Sequence, residues 1–311
     1  MKVGIVATSS PVGPVELRQG IARLEAAGFE VVVHPNVLAR SFVTGGTDAQ
    51  RAGSFLDYAF DDSVDVIWSA RGGYGAARVA GELAEATRSR RVPRPKLLVG
   101  YSDVTFLHEF VRNAWGWRTL HAQMITASPG ANDEMWAASF AIVRGERPTL
   151  PYETPCLRWM ANPPTRDITA EVIGGNMSLW TSLAGTPWQP SARGRILFLE
   201  DISEKIYRLD RYVVQLEQAG MLAGAAAIVL GDFTHCDDEA PTVLADDGVG
   251  RVPMRPTVSL SDGLNEIFGR VARKHGIPLA AGLPVGHGPG FWPLRLGVEH
   301  RLSVDGALVA R

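Results

Sequence analysis

The chain has 311 residues, of which 46% are hydrophobic and 21% charged, and a formal net charge of −2. At roughly 150 residues per domain this length predicts two domains, and so apolar a composition argues against disorder. No long run of like charge offers a surface to nucleic acid or to an anionic membrane, so the expected ligand is small and neutral or modestly charged.

Cys156 and Cys236 are far apart and fit no C-x-x-C or Cys/His ligand spacing, so they read as reduced thiols, without a disulfide framework or a zinc site. Residues 1–6 run directly into a strand-like segment without a signal peptide's apolar stretch and cleavage site, and no apolar run reaches about 18 residues. A cytoplasmic protein with no metal and no cofactor is the expectation.

Short apolar runs at 3–7, 30–33, 64–68 and 97–100 predict strands, with amphipathic stretches between them. Leu17, Ile21, Leu24 and Ala27 approximate one helical face, and Gly28 supplies a stop. This alternation predicts an α/β fold: a doubly wound parallel sheet, flavodoxin- or Rossmann-like, in residues 1–145. Five prolines between 148 and 164 interrupt the periodicity, which places a linker at 146–166. Residues 167–311 then predict a second, mixed α/β domain. Its strands are expected at 168–173, 195–199, 225–231 and 278–283, with helices near 204–219 and 262–274. A strand-like alternation follows from 294 to 304.

Chemistry is expected where strands end. Leu97-Leu98-Val99-Gly100-Tyr101-Ser102-Asp103-Val104 reads as strand, abrupt turn and helix, which puts Ser102 at a strand's carboxyl end beside the N–H groups of a helix start. Only half of a G-x-S-x-G elbow is present, because Val104 replaces the second glycine, and a plain helix cap is the competing role for Ser102. Trp68-Ser69-Ala70-Arg71-Gly72-Gly73-Tyr74-Gly75 suits an oxyanion, or is simply a tight turn that needs glycine. It matches neither the phosphate-loop nor the dinucleotide fingerprint. Glu200 and Asp201 close an apolar strand; either a neighbouring imidazole or Arg208 and Arg211 is a fitting partner. Among seven histidines, His287 in Gly286-His287-Gly288-Pro289-Gly290 is the best general-base candidate, with His121 in reserve.

In these motifs the sequence resembles the LD-carboxypeptidase family, which includes muramoyl-tetrapeptide carboxypeptidases and microcin C self-immunity peptidases. The resemblance spans most of the chain and rests on 70–75, Gly100-Tyr101-Ser102-Asp103, Gly174-Gly175-Asn176, Leu199-Glu200-Asp201 with 207–211, and Gly286-His287. It implies Ser102 as nucleophile, His287 as base and Glu200 as its orienting partner, in a site between two domains, with backbone N–H groups near Gly73 and Asp103 as the oxyanion hole. The activity implied is metal-free serine hydrolysis of an L,D amide, releasing terminal D-alanine from a cell-wall tetrapeptide. Arg71 with Gly72, or the N–H groups of Gly174, Gly175 and Asn176, are candidates for holding the substrate's carboxylate. Two departures bear on the pocket: Ala122-Gln123-Met124 where the family often has Gly-Pro-Met, and Trp180 in place of a smaller residue. Trp180 would suit a peptidyl-adenylate substrate by stacking on a base. A non-catalytic two-domain binding protein is the alternative from another class. The expected partner is a small peptide or muropeptide, with no nucleic acid or membrane; a homodimer is entertained.

Overall fold

Parallel strands covered on both faces need short, nearly continuous apolar runs, and the first half of the chain supplies them. In the computed structural model, which describes residues 1–88, 92–126, 131–237, 242–244, 251–253 and 258–311, β1 (Lys2–Val6), β2 (Glu30–Val33), β3 (Val66–Ser69), β4 (Leu97–Gly100) and β5 (Thr119–His121) are parallel. They lie in the order β2-β1-β3-β4-β5. Between them run α1 (Pro14–Ala26), α2 (Asp48–Phe60), α3 (Ala76–Arg88) and α4 (Thr105–Trp115). Local chemistry sets the helix ends: Thr47 and Gln50 form a reciprocal capping box ahead of α2, and α4 stops at the left-handed Gly116. The strand order is that of a doubly wound sheet, whose ligands bind beyond the carboxyl ends.

After α5 (Asp133–Val143), the second sheet is built from β6 (Arg158–Ala161), β7 (Ile168–Asn176), β8 (Ile196–Ile202), β9 (Ala227–Thr234) and, later, β12 (Leu279–Ala281). The intervening elements are α6 (Met177–Ser182), α7 (Ile206–Gln218), the antiparallel pair β10 (Thr242–Leu244) and β11 (Arg251–Pro253), and α8 (Leu260–His275). The chain closes with β13 (Leu294–Leu296), β14 (Val298–Leu302) and β15 (Leu308–Ala310). The order is β15-β14-β7-β8-β9-β12-β6. Its centre, β7-β8-β9-β12, is parallel, and β6, β14 and β15 are antiparallel margins. The fold is therefore mixed α/β, with a parallel-rich first sheet and a mixed second one.

Two boundaries differ from the sequence expectation. Residues 146–166 hold β6, an edge strand of the second sheet, so the prolines punctuate a structured segment. The alternation from 294 to 304 is two strands in different sheets. β13 returns to the first sheet and pairs antiparallel with β5, while β14, one residue further on, pairs with β7. Gly297, at φ +73°, is the pivot between them. Further bonds cross between the halves: Gly174 N–H donates to Glu109 Oε1 at 3.3 Å, and Asn176 N–H to Thr105 Oγ1 at 3.0 Å.

Candidate active site

The turn after β4 is sharper than its sequence suggests. Ser102 has φ +60°, a left-handed conformation unusual for a residue with a side chain and worth on the order of 1–3 kcal/mol of strain. Residues 102–104 form a single 3₁₀ turn that runs into α4. Val104, the residue that breaks the glycine elbow, packs over Gly100: a Cβ placed at Gly100 would lie 3.0 Å from it. The missing second glycine is thus balanced by the first.

Beside Ser102 lies the loop after β3. A Cβ at Gly72 would stand 3.1 Å from Ser102 Cβ and 3.3 Å from its Oγ, so this backbone touches the serine. The loop is fixed to the segment after β1, with Ser10 N–H donating to Gly72 O at 3.2 Å and Tyr74 N–H to Ser10 Oγ at 3.1 Å. Asp103 ties the two turns together, its buried carboxylate accepting from Ala76 N–H at 2.8 Å. Burial raises its pKa, and hydrogen bonds from Ser9 and Ala76 temper the rise.

In the second sheet, Asn176, Glu200 and Asp232 sit at or near the carboxyl ends of β7, β8 and β9, and His287 follows β12, so one parallel sheet delivers all four to one rim. His287 Nδ1 and Glu200 Oε2 are 2.7 Å apart, the carboxylate fully buried and the imidazole nearly so. Only a glycine fits at 286: it has φ +135°, and a Cβ there would meet Glu200 Cβ and Oε2 at 3.0 Å. Burial opposes the imidazolium, but the Glu200 charge and hydrogen bond, reinforced by Asp201 and Asp232, hold the His287 pKa above its ordinary value. The same crowding acts on the neighbours. Burial first, and then the Glu200 charge, push Asp201 up to about 7 and Asp232 up to about 6.

The two rims meet at Tyr101. Its ring lies 4.8 Å from the His287 ring and 4.3 Å from that of Phe291, centroid to centroid, so the imidazole packs against the residue immediately before Ser102. Among the described residues no hydrogen bond joins Ser102 Oγ to the imidazole; such contacts are often long before substrate binds. Gln123 braces the junction, receiving the Ser139 hydroxyl on Oε1 at 2.5 Å and donating through Nε2 to Phe291 O at 2.6 Å. No group of three metal-ligating side chains occurs among the described residues, nor any helix long and apolar enough to cross a membrane.

Other sequence candidates fall differently. Arg71 is exposed at the loop tip and donates to Pro11 O at 3.0 Å. Gly174 and Asn176 spend their N–H groups on Glu109 and Thr105. The Asn176 side chain caps α6 and bonds Asp201 Oδ1 at 3.0 Å, and Gly175 packs on Thr105. Trp180 is 0% exposed, packed within the core. His121 is also buried, and burial, followed by repulsion from His108 and His287, keeps its pKa well below the usual range, so it is a neutral packing residue. Phe291 and Asp232 did not emerge from the sequence, and Tyr101 and Gln123 entered it only as members of motifs, without the packing and bracing roles seen here.

Comparison with known proteins decides the family. The LD-carboxypeptidase N-terminal domain matches residues 3–122 and the C-terminal domain residues 169–302. The chain belongs to the LD-carboxypeptidase family. It is 30% identical to the probable murein peptide carboxypeptidase of Bacillus subtilis over 92% of this chain and 83% of that one. The structure of muramoyltetrapeptide carboxypeptidase from Oxalobacter formigenes superposes with a TM-score of 0.74 at 25% identity, covering 99% of this chain and 97% of that one. The microcin C7 self-immunity protein MccF of Escherichia coli is more distant, 23% identical over 92% of this chain and 85% of that one.

Proposed function

We propose that this LD-carboxypeptidase works as a metal-free serine hydrolase, with Ser102 as nucleophile, His287 as general base and Glu200 as the orienting carboxylate. The observation that carries the reading is the 2.7 Å Glu200–His287 pair, packed through Tyr101 against the strained Ser102 turn. Glu200 holds the Nδ1 proton, which leaves Nε2 free to take the Ser102 proton as Oγ attacks the scissile carbonyl. The N–H groups of Gly73 and Asp103 receive the oxyanion, at the start of the turns that frame Ser102. Collapse releases the terminal amino acid, its amine protonated by the imidazolium, and water then resolves the acyl-enzyme by the same base.

The substrate of this reading is a cell-wall tetrapeptide that loses D-alanine from an L-configured centre, as the names of the murein and muramoyltetrapeptide relatives suggest. Arg71 keeps guanidinium donors beyond the one given to Pro11, and these would hold the carboxylate of the substrate's terminal residue. The burial of Trp180 removes the base-stacking surface that favoured a peptidyl adenylate. The reading carries with it a cytoplasmic, homodimeric enzyme of peptidoglycan recycling, and light scattering on the purified protein tests the dimer. The central test is incubation with muropeptide tetrapeptides and with a peptidyl-adenylate mimic, read by mass spectrometry. D-alanine release by the native protein, abolished in folded Ser102→Ala, is expected. Cleavage of the adenylate alone reverses the substrate assignment, and binding without turnover of either makes the chain a binding protein.

A further inference from the structure

Away from the catalytic rim, Arg118, Arg147, Arg295 and Arg311 line one cavity of about 280 Å³, completed by Leu97, Thr119 and Val298 among others. Leu97 and Thr119 begin β4 and β5, so the cavity opens at the amino ends of the strands whose carboxyl ends lead to Ser102. It sits on the seam where the chain passes from β13 into β14: the Arg118 backbone packs beside Gly297, and Arg295 lies within β13.

Four guanidinium side chains line one hollow, where Arg147 repels Arg295 and Glu153 answers only in part, and two further carboxylates at this seam are engaged. Glu171 is held by Arg112 and Arg195, and Glu299 pairs with Arg311 at 3.5 Å. Arg295 donates to a neutral acceptor, Glu146 O, at 2.7 Å. Among the described residues, the Arg118 and Arg147 side chains have neither an ion pair nor a hydrogen bond. Burial lowers the Arg295 pKa and Tyr152 counters it; the Arg147 charge presses it further down, and the Glu153 carboxylate offsets part of that, as a bound anion would.

We propose that this seam cavity is a binding site for a multiply charged phosphoryl group on a small molecule. Arginine forks match phosphate oxygens two at a time, and the volume lies just below the roughly 300–1,000 Å³ of small-molecule sites, which suits a compact anionic group. The ligand would bridge β5, the 145–147 turn and the β13–β14 crossing, and so bind both sheets at a point remote from the substrate.

Calorimetric titration of the full chain at constant ionic strength, with inorganic phosphate, pyrophosphate and a hexose 6-phosphate, tests this. Saturable binding is expected, weakened at least tenfold in Arg118→Ala/Arg147→Ala, whose exposed side chains leave fold and peptidase turnover unchanged. Tighter binding of the hexose phosphate assigns an organic phosphoester; tighter binding of pyrophosphate or phosphate assigns the free anion. The proposal is overturned by absence of saturable binding of all three, by binding that the double variant retains in full, or by binding lost in Arg71→Ala instead, which would move the anion to the catalytic crevice.

Discussion

Glu200→Gln keeps the shape of the carboxylate while removing its charge, and so separates two opposed influences on His287. Burial favours the neutral ring, whereas Glu200 favours the cation and wins, so the folded pKa is raised. A general base must be neutral, and kcat/KM should therefore rise with pH through that raised value. In Glu200→Gln the burial remains without its counterweight, so the rising limb should move to lower pH. The maximum should fall by about 10⁴, the size of the effect for the corresponding carboxylate in a serine protease. A pH–rate profile decides it: an unmoved limb would mean that Glu200 does not set the titration of His287. Asp232, on the other side of the Gly286–Gly288 turn, adds to the same field.

At the scale of elements, two glycine-bearing turns are pressed against each other. Gly73 has φ +106°, and a Cβ there would collide with the Ser10 hydroxyl, so Gly73→Val is strained both in its backbone and against a neighbour. It should displace the N–H assigned to the oxyanion hole and cost about 2.7–4 kcal/mol in kcat, roughly a hundred- to thousandfold, with a smaller change in KM. Steady-state kinetics beside a melting curve would show it; wild-type turnover would sink the assignment. The strand ends that bear the proposed triad were legible in the sequence because apolar runs that stop at a serine, a glutamate or a glycine-flanked histidine advertise themselves. Asp232 escaped because the predicted strand stops at residue 231, whereas β9 continues to Thr234 and carries the aspartate within it. Trp180 misled in the opposite sense. Sequence gives no direction to a side chain on a two-turn helix, and packing turns this one inward.

For the whole molecule, the second half of the chain completes the first sheet. Residues 1–145 alone would lack β13 and leave the edge of β5 unpaired, a template for self-association. That fragment should be inactive and self-associate in light scattering, and adding residues 146–311 should restore little turnover; a monomeric, well-folded fragment would contradict this dependence on β13. Two α/β halves were readable from the alternation of strands and helices. The return of β13 was not, because a three-residue strand followed by one glycine and five more strand residues has the same alternation as a single long strand.

That return has a consequence for biosynthesis. The β5 edge waits for a partner about 170 residues further along the chain. At roughly 5–20 residues per second, translation leaves that edge open for about 10–35 s, long after α4 and the first four strands have emerged. Pairing over such a separation is entropically slow to find. The serine-bearing half is thus the first made and among the last finished, and a stall or truncation upstream of Leu294 would leave a nascent chain with an open sheet edge for chaperones to shield.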